Sequence, residues 1–242
     1  MALSKPDTVI FDLDGVVVGH NNPKLISRLE RYDSFIHMIK QLFRFRASSK
    51  YPQDMDLSIN VESNPLIHRI VHSIRRSRGQ KATDIVHVND GFQSIVEYLR
   101  EYKIQIGLVS NAHGKLYGYE VLDDFNIQDC FDSIIFRDNV KRGKPYPEGI
   151  LRCLDKLNDP KHIWFIGDQS KDIKAVMRAR KYLNEDQSIT PFSFGGAYCS
   201  AYYMIHKLSA DPDSDISQKY ALLNFNHLMK RLKKSLELKT ET

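Results

Sequence analysis

The sequence has few cysteines, no long hydrophobic run and no internal repeat. Its three cysteines, Cys130, Cys153 and Cys199, are widely spaced and form no CxxC pair. An odd number of distant thiols cannot all pair within one chain, so we expect free thiols and a cytoplasmic protein. No apolar run approaches the roughly 20 residues that span a bilayer, and no basic stretch followed by an apolar core opens the chain. We therefore expect neither a membrane partner nor a secretion signal.

The excess of positive charge is also small. The 35 Lys and Arg residues outnumber the 30 Asp and Glu residues by five. Part of the excess lies at 75–81 and part at 230–239, which are two separate clusters in segments with helical patterns. A nucleic-acid-binding protein would instead gather basic and aromatic side chains on one face. We expect solvated helix faces at both clusters and no nucleic-acid partner.

Several motifs of well-known chemistry are missing as well. The histidines form no HExxH motif, and "KRGKP" lacks the remaining positions of a phosphate-binding P-loop. "DLDG" resembles the opening of a calcium loop, but the later acidic positions of that loop are absent. These absences exclude the zinc-protease, P-loop and calcium-loop classes.

Short apolar runs that end in polar residues are present instead. They lie at 8–12, 104–111, 133–138 and 162–168, with a weaker fifth at 190–196. Such runs are typical of strands buried on both faces of a parallel sheet. Apolar residues at helical spacing follow them, as in 92–99, where Asp90 is the predicted N-cap. Strand and helix alternate from about 86 to 196, which predicts an α/β fold with a doubly wound parallel sheet.

The interval 16–85 departs from this alternation. It has no comparable apolar run, but apolar residues recur at three- and four-residue steps over 24–45, which predicts a long amphipathic helix. A second helix is predicted from Asn64 and Pro65 to Gly79. We therefore predict a core formed by residues 1–15 and 86–242, with a small helical cap inserted at 16–85.

Polar residues follow three of the predicted strands. Asp12, Ser110 and Asp168 each stand at the end of an apolar run. Ligands of doubly wound sheets bind beyond the carboxyl ends of the strands, so these three residues are expected to meet there. Four sequence pieces then stand out: "DLDGV" at 12–16, "VSN" at 109–111, "GKPYP" at 143–147 and "GDQSKD" at 167–172.

Together and in this order, the four pieces resemble the four motifs of the haloacid dehalogenase superfamily of hydrolases. The insert also matches the place where one branch of that superfamily carries its helical cap. The resemblance implies a Rossmann-like core, with Asp12 as a nucleophile that forms an aspartyl-phosphate and Asp14 as general acid and base. It further implies that Lys144, Ser110 and Asn111 hold the phosphoryl oxygens.

A metal ion is expected beside the nucleophile. A phosphate dianion and an aspartate repel each other, and Asp12 and Asp168 can hold Mg²⁺ by the oxygen ligands that this ion prefers. The resemblance implies the main-chain carbonyl of Asp14 as the third protein ligand. Asp172, one helical turn after Asp168, is expected to orient Lys144 or a metal-bound water.

The sequence indicates the type of reaction more closely than it indicates the substrate. A halide leaving group needs no proton, so the presence of Asp14 favours phosphoryl transfer over dehalogenation. The leading hypothesis is a Mg²⁺-dependent phosphatase acting on a small-molecule phosphate ester. A phosphomutase of the β-phosphoglucomutase type and a catalytically silent binding protein on the same fold are the alternatives. The sequence leaves the physiological substrate, the oligomeric state and the role of residues 197–242 open.

Overall fold

A computed structural model describes residues 4–21, 77, 79–196, 199–209 and 220–237 of the chain. The predicted cap helix at 24–45 and nearly all of the one at 64–79 lie outside the described residues. The predicted helical cap and its boundary at residue 16 therefore stay predictions.

Six parallel strands form the main sheet of the described residues. Their bounds are β1 Thr8–Phe11, β4 Gln105–Val109, β5 Ser133–Ile135, β6 His162–Gly167, β7 Ser188–Phe194 and β8 Ala221–Leu222. Their order across the sheet is β5-β4-β1-β6-β7-β8. Four of the five predicted apolar runs contain one of these strands, and the fifth, 190–196, overlaps β7, which begins two residues earlier at Ser188. The predicted fold class, a doubly wound α/β sheet, is confirmed.

The helices cover both faces of this sheet. Their bounds are α1 Phe92–Glu101, α2 Tyr119–Asp124, α3 Glu148–Leu154, α4 Ser170–Ala179, α5 Ser200–Ser209 and α6 Phe225–Glu237. Successive residues of a strand point to opposite faces, and β1 shows the result. Phe11 belongs to the apolar cluster that includes Phe92 of α1 and Phe225 of α6. Ile10 belongs to the opposite cluster, with Ile150 of α3 and Val176 of α4.

The predicted N-cap of α1 is wrong. Gly91, not Asp90, is the N-cap residue, and no side chain caps this end of the helix. Gly91 has φ +85°, a left-handed conformation that a residue without a Cβ adopts readily. The glycine therefore sets the entry of the chain into α1.

A short two-stranded antiparallel sheet that the sequence did not predict lies beside β1. Strands β2 (Val18–His20) and β3 (Val86–Val88) pair antiparallel, with Val18 opposite Val88. Val16, Val17 and Val18 are buried in the same apolar cluster as Phe11. Residues 16–18 thus pack with the sheet.

The three cysteines are free thiols. Cys130 and Cys153 are buried, and Cys199 is partly buried. Among the residues that the structure describes, no helix combines the length and the apolar character needed to cross a bilayer.

Candidate active site

The carboxyl ends of the three central strands bring the predicted site residues to one edge of the sheet. Asp12 follows β1, Ser110 follows β4 and Asp168 follows β6. The last residue of β1, Phe11, pairs with Leu108 of β4 and Ile166 of β6. This register places the three polar residues side by side, as expected for strands that all run in one direction.

Lys144 lies in the centre of the site and is buried. Its Nζ atom lies 2.9 Å from Asp12 Oδ2 and 2.8 Å from Asp172 Oδ1, and it donates to the carbonyl oxygen of Val109 at 3.0 Å. An ammonium group has three N–H donors, and these acceptors account for all three. The lysine is therefore held in one position.

The main chain at Lys144 is held by Asn111. The Asn111 Oδ1 atom accepts a hydrogen bond from the Lys144 main-chain N–H at 2.8 Å. Its Nδ2 donates to the Lys144 carbonyl oxygen, also at 2.8 Å. Gly143 makes room for this contact, because a Cβ there would lie 2.5 Å from Asn111 Oδ1. The side chain of Asn111 thus joins the end of β4 to the loop that carries the lysine.

Asp172 is fully buried at the start of α4. Its Oδ2 accepts a hydrogen bond from the main-chain N–H of Gln169 at 2.9 Å, which caps the first turn of the helix. The other oxygen, Oδ1, faces Lys144. Of the two predicted partners of Asp172, the lysine is therefore the one in contact with it.

Asp168 packs closely against Gly15. Gly15 has φ +83°, and a Cβ at this position would overlap the Asp168 carboxyl group. The glycine thus permits the left-handed turn after the DLD segment. It also permits the close approach of the Asp168 carboxylate, which follows β6. The buried Oδ1 atom of Asp168 has no hydrogen-bond partner among the described residues.

Burial and like charges dominate the electrostatics of the site. Burial raises the pKa of Asp12 to about 6; Asp172 adds to this rise, and Lys144 opposes it. Burial, followed by the charges of Asp172 and Asp12, raises the pKa of Asp168 well above its usual range. Burial alone would lower the pKa of Lys144, but the charges of Asp12 and Asp172 outweigh it and raise that pKa. The site holds more negative charge than its lysine neutralises.

The acidic cluster fits a divalent cation. Asp12, Asp168 and Asp172 each place a carboxylate oxygen within 4.8 Å of the others. Three carboxylates against one ammonium leave an excess of negative charge, and the buried Asp168 Oδ1 atom is an orphan acceptor. Mg²⁺ prefers oxygen ligands of this type and binds through one or two carboxylates plus waters. The predicted ligands Asp12 and Asp168 both belong to this cluster; their role as ligands and the main-chain contribution of Asp14 stay predictions.

The carboxyl group of Asp14 contacts residues that lie outside the acidic cluster. Its Oδ1 atom accepts a hydrogen bond from the Tyr117 hydroxyl at 2.8 Å, and His20 Nε2 lies 3.4 Å from the same oxygen. The sequence did not point to Tyr117 or His20, since neither stands in one of the four motifs. His20 lies on β2, and Tyr117 lies in a turn that hydropathy spacing does not reveal.

Ser110 is buried at the end of β4. Its Oγ accepts a hydrogen bond from the main-chain N–H of Ala112 at 3.1 Å, so it shapes the turn that follows the strand. The structure thus gathers Asp12, Asp168, Asp172 and Lys144 into one cluster. Ser110 and Asn111 stand at its margin, just after β4, and Asp14 directs its carboxyl group to Tyr117 and His20.

Comparison with known proteins gives a family and several relatives. The model of the haloacid dehalogenase-like hydrolase family matches residues 6–180. The chain is 28% identical over 180 residues to the pyrophosphatase PpaX of Oceanobacillus iheyensis, a match that covers 71% of this chain and 79% of that protein. It is 24% identical over 177 residues to a phosphorylated carbohydrates phosphatase of Thermotoga maritima, covering 72% of this chain and 81% of that one.

The fold is also similar to a solved structure. A crystal structure of a hydrolase of the same superfamily from Ehrlichia chaffeensis superposes with a TM-score of 0.56. The two chains are 21% identical, and the match covers 97% of this chain and 100% of that one. At this identity the similarity supports the fold.

Proposed function

The chain belongs to the haloacid dehalogenase-like hydrolases, and from this premise we propose that it is a Mg²⁺-dependent phosphatase of small-molecule phosphate esters. The contact between Asp12 and Lys144, inside a cluster with Asp168 and Asp172, carries the proposal. A carboxylate that could act as nucleophile, a fixed cation and oxygens suited to a metal ion lie together in this cluster. A protein that only binds its partner would not need this combination.

Asp12 is the proposed nucleophile. Its Oδ1 atom accepts a hydrogen bond from the main-chain N–H of Leu13 at 2.8 Å, and its Oδ2 contacts Lys144. Both contacts fix the carboxylate before substrate arrives, which lowers the entropic part of the barrier. A carboxylate oxygen of Asp12 attacks phosphorus, the bond from phosphorus to the leaving oxygen breaks, and an aspartyl-phosphate forms.

Asp14 is the proposed general acid and base. It donates a proton to the leaving alkoxide as the ester bond breaks. It then accepts a proton from the water whose oxygen attacks the phosphorus of the aspartyl-phosphate. Inorganic phosphate leaves, and the carboxylate of Asp12 is restored.

Positive charge and hydrogen-bond donors offset the charge of the phosphate. The three N–H donors of Lys144 already have protein acceptors, so the lysine acts on the phosphoryl group chiefly as a fixed positive charge. The Ser110 hydroxyl and the main-chain N–H of Asn111 are the proposed donors to the phosphoryl oxygens. A Mg²⁺ ion held by Asp12 and Asp168 would screen the repulsion between nucleophile and phosphate.

The relatives support a small phosphorylated substrate. One is named a pyrophosphatase and another a phosphorylated carbohydrates phosphatase, so we propose a substrate from these classes of compound. The three free thiols favour a reducing compartment, and we place the protein in the cytoplasm.

Hydrolysis of p-nitrophenyl phosphate with and without Mg²⁺ tests the proposal, followed by a panel of phosphate esters and pyrophosphate. We expect Mg²⁺-dependent release of phosphate, which Asp12→Asn abolishes without loss of the fold. Asp155→Asn, a matched change at an exposed aspartate that ends α3, should leave the rate unchanged. A wild-type protein that is inert across the whole panel with Mg²⁺ present would favour the silent binding protein.

The same experiment separates hydrolase from mutase. A sugar 1-phosphate is added, and the products are resolved by chromatography. Inorganic phosphate and free sugar are expected from the hydrolase. Conversion to the 6-phosphate isomer would identify a phosphomutase and overturn hydrolysis as the main reaction.

A further inference from the structure

We propose that Tyr117 positions the carboxyl group of Asp14 for proton transfer, an inference that rests on the proposed function. The Tyr117 hydroxyl donates a hydrogen bond to Asp14 Oδ1 at 2.8 Å. Tyr117 is only 3% exposed, whereas the Asp14 side chain is 28% exposed. The buried hydroxyl of Tyr117 therefore holds a carboxyl group that is itself partly exposed to solvent.

Tyr117 reaches Asp14 because of an unusual turn. Residues Gly114–Gly118 form a turn of π-helix just before α2. The carbonyl oxygen of His113 accepts hydrogen bonds from the main-chain N–H of Tyr117 at 3.0 Å and of Gly118 at 2.9 Å. Turns of this kind are rare and are frequent at functional sites. The wider turn changes the direction in which the Tyr117 ring leaves the backbone.

Two glycines and a phenylalanine fix the turn. Phe136 is fully buried, and its ring packs so closely against Gly114 and Gly118 that a Cβ at either glycine would overlap it. The turn therefore cannot slide past the ring without losing close packing. Tyr117 belongs to the same apolar cluster as Phe136, so the hydroxyl is held at a set distance from β1.

The contacts of Asp14 with Tyr117 and His20 converge on one oxygen. Tyr117 donates to Oδ1, and His20 Nε2 lies 3.4 Å from the same atom. A hydrogen bond to Oδ1 from a fixed donor limits the rotation of the carboxyl group about the Cβ–Cγ bond. Tyr117 thus acts through Asp14 and is a positioning residue.

Tyr117→Phe tests this role, since it keeps the ring and removes the donor. Two esters are compared: glycerophosphate, whose alkoxide leaving group needs a proton, and p-nitrophenyl phosphate, whose leaving group is stable as an anion. Tyr117 stabilises the negative charge that develops on Asp14 as its proton leaves, so we expect kcat/KM for glycerophosphate to fall by roughly 10-fold or more. The kcat/KM for p-nitrophenyl phosphate should change by less than about 3-fold, because it reports only the steps up to departure of the leaving group, where general acid catalysis contributes little for this ester.

Tyr119→Phe is the matched control. The Tyr119 ring also packs against Phe136, at a centroid distance of 4.9 Å, but it is 40% exposed and belongs to none of the proposed machinery. Both esters should be hydrolysed by this variant at the wild-type rate. An equal fall in kcat/KM for both esters in Tyr117→Phe would show a merely structural role, and no change with either ester would also overturn the inference.

A double-mutant cycle gives a second readout. In an Asp14→Asn background the carboxyl group that Tyr117 positions is gone, so adding Tyr117→Phe should slow glycerophosphate hydrolysis no further. Additive losses would contradict the positioning role. Failure of the proposed function looks different, since the wild type would then hydrolyse neither ester and Asp12→Asn would change nothing.

Discussion

The side chain of Asn111 holds the main chain of Lys144 through two hydrogen bonds, one accepted and one donated, both of 2.8 Å. The two residues are 33 positions apart in the sequence and lie on different loops. The two hydrogen bonds hold the loop before α3 as a fixed support for the buried ammonium group. The position of the cation beside Asp12 therefore depends on an amide that never touches it.

Replacing Asn111 by Ala should slow the reaction through Lys144. The variant keeps the main-chain N–H proposed to contact phosphate and removes only the two bonds to the lysine loop. Small displacements in an active site can cost roughly 10²-fold in rate, and we expect a fall in kcat approaching that size. Steady-state kinetics with p-nitrophenyl phosphate measures it.

Two further variants sharpen the Asn111 experiment. Asn111→Asp retains the acceptor and loses the donor, so its kcat should lie between those of wild type and Asn111→Ala. Asn158 is exposed and uses only its main chain in its contacts with Gln105, so Asn158→Ala should behave as wild type. A wild-type rate in Asn111→Ala would show that the lysine holds its position without the amide.

Gly15→Ala should weaken metal binding, because a Cβ at Gly15 overlaps the Asp168 carboxyl group. Displacing groups that orient metal ligands typically costs roughly 10–100-fold in affinity, and we expect a loss of that order for Mg²⁺. Titration calorimetry or the Mg²⁺ dependence of the rate measures it.

Gly79→Ala separates backbone strain from the steric overlap. Gly79 also has a positive φ, +69°, but none of the described residues comes within 4 Å of a Cβ built there. Both variants carry the left-handed strain of about 1–2 kcal/mol, and only Gly15→Ala moves Asp168. Equal effects of the two substitutions on Mg²⁺ affinity would show that the overlap is relieved without cost.

Addition of Mg²⁺ should stabilise the folded protein. A ligand at about 100 times its dissociation constant adds ~2.7 kcal/mol to the free energy of unfolding, and each kcal/mol raises Tm by roughly 2–4 °C for a domain of this size. Asp168→Asn removes a charged ligand and should abolish most of the shift, as should a chelator. Differential scanning fluorimetry follows the change without any substrate.

The controls for this shift use the same instrument. Asp155→Asn should keep the full Mg²⁺ shift, because Asp155 lies at the exposed end of α3. A full shift in Asp168→Asn as well would place the ion elsewhere, and the absence of any shift in the wild type would argue against a resident metal.

Phe11→Ala should destabilise the core strongly. The Phe11 ring is fully buried and meets Phe92 and Phe225 at centroid distances of 6.0 and 6.1 Å. Removing a buried phenylalanine side chain typically costs about 3–5 kcal/mol. Leu223→Ala, at a position 66% exposed, should change the free energy of unfolding by no more than about 0.5 kcal/mol. Urea denaturation of both variants compares them, and similar losses would contradict the assigned core.

The parallel strands and the family could be predicted from the sequence because both depend on strong local patterns. Buried parallel strands leave continuous apolar runs, and the chemistry of phosphoryl transfer places charged residues where those runs end. The resemblance carried by the four motifs is confirmed by the family that the chain belongs to. The same patterns gave the correct alternation of strand and helix.

The features that the sequence did not predict depend on long-range contacts or on backbone conformation. Strands β2 and β8 have three and two residues, too few to give a periodic signal. Asp90 was expected to cap α1, but the left-handed Gly91 takes that position. The contact between Tyr117 and Asp14 spans 103 residues and requires a π-helical turn, which no hydropathy pattern marks.

The pairing of β2 with β3 has a consequence for engineering. His20 pairs with Val86, and the main-chain N–H of Asn21 donates to the carbonyl oxygen of Ile85 at 2.9 Å, so the two ends of the intervening segment are held side by side. For ends held in this way, each doubling of the length of the segment costs only about 0.6 kcal/mol of closure entropy. Segments of very different length could therefore be grafted between Asn21 and Gln80 while the sheet and the buried Ala82 stay untouched.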